Sequence, residues 1–343
     1  MRSVGRICVL MLFSLSAAAQ SLTVVELNCE NLFDCKDDSL KQDEEFLPEA
    51  TRHWTSRRYW RKLNNIAQEL LSTCDDGIPD LIALCEVEND TVMHDLTKRS
   101  LLRNAGYEYV MTCSPDLRGI DVALLYSPYA FAPVSCYPIR VMPVEGMRPT
   151  RDILYVSGRT VTDDTLHVFV VHAPSRYGGK RYSRPFRMAV AERLCQSVDS
   201  IQMMAPDAHI LIAGDFNDEA DGPVIQHICR HRLRNLTKEA RGLNGVSGTY
   251  RYKGQWGSID HVLGSRSIYK KVDTAYVHAP KFLLEEEKLY GGYRPRRTYN
   301  GMKHQTAIAT TCPLSFVCSG SEKDWSEQTI IAPTNLMCKK SKS

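Results

Sequence analysis

The sequence lacks three features that would assign it to a class at once: a long hydrophobic run, a strong excess of one charge, and a C-x-x-C cysteine pair. Beyond the first twenty residues, no stretch reaches the ~20 apolar residues that a membrane-spanning helix needs. The 43 basic and 40 acidic residues give a formal charge of +3. This near balance excludes a strongly cationic nucleic-acid coat, so any recognition of anions must be local. The missing C-x-x-C pair argues against a thiolate zinc site.

The N-terminus has the pattern of a targeting segment. Arg2 and Arg6 precede an apolar run over residues 7–16, and small alanines follow at 17–19. This order is typical of a secretory signal peptide, here residues 1–19, and predicts export to the periplasm or the cell exterior. The alternatives are a buried N-terminal helix or an uncleaved anchor.

The remaining composition is that of a globular protein, because 43% of the 343 residues are hydrophobic and 24% are charged. Neither a Gly/Ser/Pro-rich linker nor an internal repeat divides the body, so we expect one domain over residues 20–305. Twelve cysteines fit an oxidising compartment, and some disulfides are expected, with a connectivity that the sequence does not reveal. Cys29 and Cys85 stand in apolar runs and are predicted to be buried thiols.

Apolar periodicity predicts alternating strands and helices, hence an α/β fold. The predicted strands are residues 21–27, 80–85, 121–126, 168–171 and 209–213, and the predicted helices are residues 56–72 and 184–198. In such folds the chemistry lies where strands end. Arg118 and Asp121, beside the third of these strands, are predicted to form a structural ion pair.

Polar residues cluster at or beside the ends of these strands. Each cluster alone is a weak signal, since a strand-end Asn is usually a turn residue and a lone His is more often structural. Together they suit a hard divalent cation with oxygen ligands, Mg²⁺ or alternatively Mn²⁺, better than zinc. The residues are Asn28, Glu30, Glu86, His172, Asp215, Asn217 and Asp260.

Six stretches carry a more specific resemblance. They read LNCENLFD (27–34), PDLIALCEVEN (79–89), RGIDVALLY (118–126), VVHAPSRYGGKRYSRPFR (170–187), LIAGDFNDE (211–219) and GTYRYKGQWGSIDHVL (248–263). In this order they resemble the endonuclease/exonuclease/phosphatase superfamily, in particular a secreted bacterial branch. The resemblance implies a four-layer α/β sandwich, with two packed β-sheets flanked by helices. It also implies metal-dependent hydrolysis of a phosphate ester, which would belong to a nucleic acid, a phospholipid head group or a small phosphorylated molecule, by a protein expected to be monomeric.

The resemblance also implies roles for single residues. Glu86 is implied as the main carboxylate ligand of Mg²⁺, with Asn28 beside it and Glu30 helping to hold the ion.

Catalytic roles follow from the same comparison. Asp215 is similar to the residue that orients or deprotonates the attacking water, and Asn217 to its neighbour at the phosphoryl group. His172 is similar to a phosphate-contacting histidine that stabilises the transition state as a cation or a hydrogen-bond donor. Asp260 is similar to the carboxylate that orients a second, catalytic histidine.

A basic stretch follows His172 and contains two adjacent glycines. We expect Arg176, Gly178 and Gly179 to form a loop that faces the substrate phosphate, because arginine matches phosphate with paired hydrogen bonds. For Lys180 and Arg181, a solvated loop leading into a helix is an equal alternative.

One motif of the superfamily is missing. Its members end with Ser-Asp-His, usually followed by Leu-Pro, and that His is the partner of Asp260. This chain instead reads TAIATTCP at residues 306–313. Read from the third base of the Thr306 codon, the fixed bases of the following codons allow Gly-Tyr-Ser-Asp-His-Leu-Pro. We therefore interpret residues 306–343 as a frame-shifted tail, and the alternative is a diverged C-terminus in a weakened homologue.

Two consequences follow for structure and function. The family fold is expected to persist to about residue 303, the last segment to pack poorly, and hydrolysis to be strongly reduced, because the His held by Asp260 is absent. A non-catalytic relative that binds phosphorylated ligands is the competing hypothesis. A structural or adhesion protein is a third, but it would not need the set Asn28, Glu86, Asp215 and Asn217.

Overall fold

The computed structural model describes residues 21–74, 77–301, 303–305 and 311–318. The predicted signal peptide and most of the predicted frame-shifted tail lie outside these residues. The strands, in chain order, are β1 (Leu22–Leu32), β2 (Leu81–Val87), β3 (Glu108–Met111), β4 (Asp121–Tyr126), β5 (Phe131–Ile139), β6 (Ile153–Thr160), β7 (Thr165–His172), β8 (His209–Asp215), β9 (Leu233–Asn235), β10 (Tyr250–Tyr252), β11 (Gln255–Gly257), β12 (Asp260–Ser265), β13 (Val272–Val277), β14 (Leu284–Glu286), β15 (Tyr293–Pro295), β16 (Tyr299–Asn300), β17 (Lys303–His304) and β18 (Leu314–Cys318). The α-helices are α1 (Ser56–Leu71), α2 (Asp90–His94), α3 (Arg184–Met204), α4 (Pro223–Cys229) and α5 (Arg266–Tyr269).

Two six-stranded mixed sheets form the body of the molecule. The first has the order β13-β18-β1-β2-β4-β3 and the second the order β5-β6-β7-β8-β12-β9. Only β1 with β2 and β7 with β8 pair in parallel within these sheets, and the other neighbours are antiparallel. Two parallel pairs therefore bring four strand ends to one edge of the sheets.

The helices cover the outer faces because their apolar residues recur at helical spacing. On α1, Tyr59, Leu63, Ile66 and Leu70 are buried against the first sheet. Helices α3 and α4 cover the second sheet, and Leu194 packs there with residues of β7 and β8. The helix–sheet–sheet–helix order is the predicted four-layer sandwich, and that prediction is confirmed.

The space between the sheets is filled by alternate strand residues, as the two-residue period of a strand requires. Val24 and Ala83 from the first sheet meet Val168 and Ala213 from the second in one buried cluster. At ~25 cal/mol per Å² of apolar surface, this dry interface is a major source of stability.

The C-terminal strand β18 corrects one prediction. It lies between β1 and β13, so it is an interior strand of the first sheet. Leu314 pairs with Glu26 and Phe316 with Val24, and Phe316 is fully buried. Poor packing beyond about residue 303 is therefore wrong for residues 311–318, because an apolar pentapeptide suits a two-sided buried position. The reading-frame hypothesis itself stays a prediction.

Two further sequence expectations concern cysteines and membrane spans. Cys29 and Cys85 are buried free thiols, as predicted. The exposed Cys113 and Cys136 are also free, so neither contributes to the expected disulfides. Within the part of the chain that the structure describes, no helix is both long enough and apolar enough to cross a bilayer.

Candidate active site

Five predicted residues from both sheets meet at one edge of the sandwich. In β7 and β8 the register places His172 beside Asp215, and in β8 and β12 it places Asp260 beside Asp215. Asn28 and Glu86 come from the ends of the parallel strands β1 and β2. A hydrogen bond joins the sheets here, because Nδ2 of Asn28 donates to Oδ2 of Asp215 over 3.0 Å.

Asp215 is the buried carboxylate at the centre of this group. Its Oδ1 accepts the backbone N–H of Asn217 over 2.8 Å. Burial raises the pKa of Asp215 to about 7, the negative charge of Glu86 adds to the rise, and the hydrogen bonds from Asn217 and Asn28 oppose it. A carboxylate whose pKa lies near neutrality has the property of a general base.

Glu86 and Glu30 hold their carboxylates on a backbone that side chains rarely adopt. Glu86 has φ of 62°, Glu30 51°, Asn31 59° and Asn217 49°. Such conformations cost of order 1–3 kcal/mol each and persist where the surroundings over-determine them. Those surroundings include the Asn31 amide, which donates to Oε2 of Glu86 over 2.8 Å, and the Thr298 amide, which donates to Oε2 of Glu30 over 2.7 Å.

His172 stands between two carboxylates. Its Nε2 is 3.8 Å from Oε1 of Glu86 and 3.9 Å from Oδ2 of Asp215. Burial lowers the pKa of His172 well below its usual value, and the nearby charges of Arg151 and Arg118 lower it further. A histidine whose pKa is lowered in this way is neutral at pH 7, and a neutral imidazole has one N–H that it can donate.

Asp260 is fully buried next to Asp215 and lacks its expected partner. Neither carboxyl oxygen has a hydrogen-bond partner of normal geometry among the described residues. Burial raises the pKa of Asp260 well above its usual value and the charge of Asp215 adds to this, while the Thr249 hydroxyl opposes it. His304 does not take the partner's place, because its ring packs against those of Tyr299 and Trp54.

The predicted phosphate loop is attached to the site through its arginine. Nε of Arg176 donates to the carbonyl oxygen of Asn217 over 2.8 Å, and Nη1 donates to Glu219 over 2.9 Å. Gly178 and Gly179 have φ of 77° and 109°, which explains why glycine occupies both positions. Arg176 thus braces the loop that carries Asn217, and the structure assigns the two glycines no contact with the carboxylates.

Three basic residues near the site were not among the predicted site residues. Lys62 on α1 is buried and donates to the carbonyl oxygen of Asn31 over 3.3 Å and to that of Glu30. Arg118 donates to the Asn31 side chain, and Arg151 donates to Asp116 over 3.0 Å and to the backbone of β7 at His172. The signal for Lys62 was its place among the apolar positions of a helix.

The environment of Asp121 overturns another prediction. Asp121 accepts hydrogen bonds from Thr112 and from both the hydroxyl and the amide of Ser114. Arg118 instead points to Asn31, so the predicted structural pair Arg118–Asp121 is wrong. Thr112 and Ser114, in the segment that leads into β4, are nearer donors for the Asp121 carboxylate than Arg118 is. The Arg118 guanidinium can therefore face the cleft.

A cleft of about 310 Å³ opens over Glu30 and Glu86. Besides these two acidic residues, basic and aromatic side chains line the cleft: Phe46, Arg52, Trp54, Lys62, Arg297 and Tyr299. The basic side chains of the cleft suit an anionic group of a ligand, and its acidic side chains suit a metal cation that binds with that ligand.

The donor set at the cleft floor is compatible with a hard divalent cation. Within the described part of the chain Oε1 of Glu86 accepts no hydrogen bond, and Nε2 of His172 lies 3.8 Å from it; Glu30 and Asn28 supply further oxygens. All of these are oxygen donors, which Mg²⁺ and Mn²⁺ prefer. The residues present therefore fit such an ion.

Comparison with known proteins agrees with this geometry. The model of the endonuclease/exonuclease/phosphatase family matches residues 23–318, and the chain belongs to this family. A family member from Bacteroides thetaiotaomicron is similar in structure, with TM-score 0.59 and 14% identity over 88% of this chain and 99% of its own. A mannosyl-6-phosphatase from the same species has TM-score 0.57 and 15% identity over 86% and 98%.

A more distant similarity reaches an animal protein. The catalytic domain of human nocturnin, solved with a bound sulfate anion, has TM-score 0.53 and 18% identity over 87% of this chain and 94% of its own. A search of curated proteins by sequence finds no match. At these identities the structural neighbours establish the fold, and the family includes hydrolases that act on phosphate esters, with general dependence on divalent metals.

Proposed function

We propose that this protein is a divalent-metal-dependent hydrolase of phosphate esters, with Mg²⁺ as the preferred ion and Mn²⁺ as a substitute. The observation that carries the proposal is the junction of the two sheets, where Asn28 bonds Asp215 beside the uncommitted Oε1 of Glu86. Glu86, Glu30 and Asn28 would hold the ion, which supplies positive charge to the oxygens of a bound phosphoryl group.

The side chains around that position would then perform the hydrolysis. Asp215 accepts the proton of the attacking water, a contribution of ~10²–10⁴-fold for a general base. Asn217 donates one Nδ2 hydrogen to the carbonyl oxygen of Ala173, and its other Nδ2 hydrogen can be donated to the phosphoryl oxygens. Neutral His172 donates an N–H to the same group. Donors fixed in place before reaction stabilise charge that develops in the transition state.

The chain as written is proposed to be a weak catalyst. Asp260 lies buried beside Asp215 with no imidazole partner among the described residues. In the shifted reading frame a histidine falls at position 310, four residues before the buried strand β18. Without it, the leaving oxygen lacks a proton donor. Export to an extracytoplasmic compartment, read from residues 1–19, completes the proposal.

The experiment compares the chain as written with a version whose residues 306–312 read Gly-Tyr-Ser-Asp-His-Leu-Pro. Both are assayed with Mg²⁺ on mannose 6-phosphate, bis-p-nitrophenyl phosphate, DNA, RNA, sphingomyelin and inositol phosphates, and Glu86→Gln in each background serves as the inactive control. We expect hydrolysis in the restored version, at least ~10²-fold above the original and lost with EDTA.

The outcomes separate the competing functions. Equal turnover by both versions would contradict the impairment. No turnover by either, with metal-dependent binding of the phosphate compounds, would favour a non-catalytic binder.

A further inference from the structure

A second group of metal-ligating side chains lies on the outer face of the second sheet. One donor atom each from Cys195, His227 and His231 lies within 4.8 Å of the other two. Cys195 is buried and the two histidines are half-buried. The phosphoester site uses none of the three.

Two packed helices bring these residues together. Cys195 and Asp199 are one turn apart on α3, so they share a face. His227 is in the last turn of α4, and His231 follows four residues later, just beyond the end of that helix. The ring centroids of His227 and His231 are 5.2 Å apart. The sequence shows no C-x-x-C pair because the donors come from segments about thirty residues apart.

A carboxylate orients one of the rings. Nδ1 of His231 lies 2.9 and 3.0 Å from the two carboxylate oxygens of Asp199. When Nδ1–H donates to this carboxylate, the lone pair of the neutral imidazole is on Nε2. Carboxylate–histidine pairs of this kind hold metal-ligating rings in the correct tautomer and orientation.

We propose that Cys195, His227 and His231 bind a zinc ion, with Asp199 as the positioning residue of His231. Thiolate and imidazole donors together favour zinc over Mg²⁺. Ligand atoms of tetrahedral zinc lie about 3.5 Å apart. The three donor atoms must therefore approach one another by about 1 Å when the ion binds. Water or a further side chain would complete the four ligands.

Zinc binding at this site is coupled to loss of the proton of the Cys195 thiol. Burial raises the pKa of Cys195 to about 12, and the charge of Asp199 adds to the rise. Cysteine binds zinc as the thiolate, so metal binding must release the thiol proton. An ion held between α3 and α4 would fasten the two helices to each other and stabilise the second sheet.

The test is metal binding by the full-length chain after removal of metal with a chelator. Zinc affinity is measured by competition with a chromophoric chelator in the Glu86→Gln background, so the phosphoester site does not contribute. Cobalt(II) substitution adds an optical signature, since a thiolate ligand gives a charge-transfer band. We expect one zinc per chain and a thiolate–cobalt band.

Variants define which residues bind. Cys195→Ser, His227→Ala and His231→Ala should lose the site, and Asp199→Asn should weaken zinc binding ~10–100-fold. Cys113→Ser and His94→Ala, both at exposed positions, are matched controls that should bind as the parent does. Metal-free circular dichroism and thermal unfolding verify that each variant folds.

Two results would overturn the proposal: zinc affinity unchanged by Cys195→Ser in a folded variant, or a cobalt complex without the thiolate band. Where one variant fails to fold, His231→Gln keeps the ring's volume approximately and supplies the same comparison.

Discussion

At Asp215, burial and hydrogen bonding act in opposite directions on one carboxyl group. Burial in a low-dielectric site raises its pKa to about 7, while the Asn217 amide and the Asn28 side chain stabilise its charged form. The result is a base that is neither permanently protonated nor too weak to accept a proton at neutral pH. A solvated aspartate would be a much weaker base, because its pKa would stay at ~3.9.

The Asp215→Asn variant tests this role. In the version with the restored Ser-Asp-His motif, we expect kcat to fall ~10²–10⁴-fold, because asparagine keeps the side chain's size but accepts no proton from water. Steady-state kinetics measure the change, and Asp207→Asn, at an exposed position, is the control that should keep its kcat. A kcat close to that of the parent would assign the base to another residue.

Glu69 shows what burial does to a carboxyl group with no catalytic task. It is fully buried on α1, and its Oε2 has no hydrogen-bond partner in the described part of the chain. Burial raises the pKa of Glu69 well above its usual value. The folded protein therefore holds a proton that the unfolded chain releases above about pH 4.3.

This difference predicts a pH-dependent effect of Glu69→Gln. Since the folded state keeps the Glu69 proton, this carboxyl makes the parent lose stability as pH rises above the unfolded pKa, and the variant lacks that contribution. The free energy of unfolding of the variant relative to the parent should thus grow by about 1.4 kcal/mol per pH unit above about pH 4.3. Urea unfolding between pH 4.5 and 7.5 measures it. Glu192→Gln, exposed on α3, should show no such trend; a flat difference for Glu69→Gln would show that this carboxyl ionises normally.

The site residues differ in how well their positions can be predicted from the sequence. Asn28, Glu86, His172, Asp215 and Asp260 were predicted and lie together, because polar residues at the ends of apolar strands must converge when two strand pairs are parallel. Contacts across the cleft gave no such signal: the bond from Arg118 to Asn31 depends on two loops 87 residues apart in sequence.

Among the secondary-structure elements, β18 shows how a short segment completes a sheet. It pairs with β1 on one side and β13 on the other, so its five residues close the first sheet. Apolar content and length are enough to occupy this position, whichever reading frame produced them. The absence of a Ser-Asp-His motif predicts poor packing of the segment that follows, but packing of a strand depends on its apolar side chains and not on that motif.

Phe316→Ala measures how much β18 contributes. Phe316 is fully buried between the sheets, and truncation of such a side chain costs about 3–5 kcal/mol through lost burial and the cavity left behind. Denaturant unfolding at constant m-value gives the loss. Phe282→Ala, where the side chain is 37% exposed, should cost about 1 kcal/mol. A loss for Phe316→Ala as small as that of the control would mean that the strand does not pack in this place.

The starts of the predicted helices and central strands agree with the structure to within a few residues, but the predicted ends of α3 and β1 fall six and five residues short. The predicted helix at 56–72 is α1 (Ser56–Leu71), and the predicted strand at 121–126 is β4. Both have strong periodicity over their whole length. Short edge and hairpin strands such as β10 and β15 have three residues each, too few for any period to be recognised.

At the scale of the whole molecule, like charges concentrate where the sheets meet. Glu86 raises the pKa of Asp215, and Asp215 in turn raises that of Asp260. Such repulsion costs stability in the metal-free protein. A divalent cation bound to the folded state alone would offset that cost and shift the unfolding equilibrium.

Mg²⁺ should therefore raise the midpoint of thermal unfolding even in the chain as written, for which we expect turnover too weak to serve as a readout. At one hundred times the dissociation constant, a single site adds about 2.7 kcal/mol, or about 4–5 °C for a domain of this size. Differential scanning fluorimetry across a Mg²⁺ series, with EDTA reversal, measures the shift. Glu86→Gln should abolish it, because Oε1 of Glu86 accepts no hydrogen bond from the described residues and can therefore bind the ion. Glu88→Gln is the matched control: this carboxylate lies two residues away but accepts the Asp34 amide, so its variant should keep the shift. Mg²⁺ has little affinity for thiolate and imidazole, so the Cys195 site does not contribute. A shift of the same size in Glu86→Gln would place the ion elsewhere and remove the basis of the proposed chemistry.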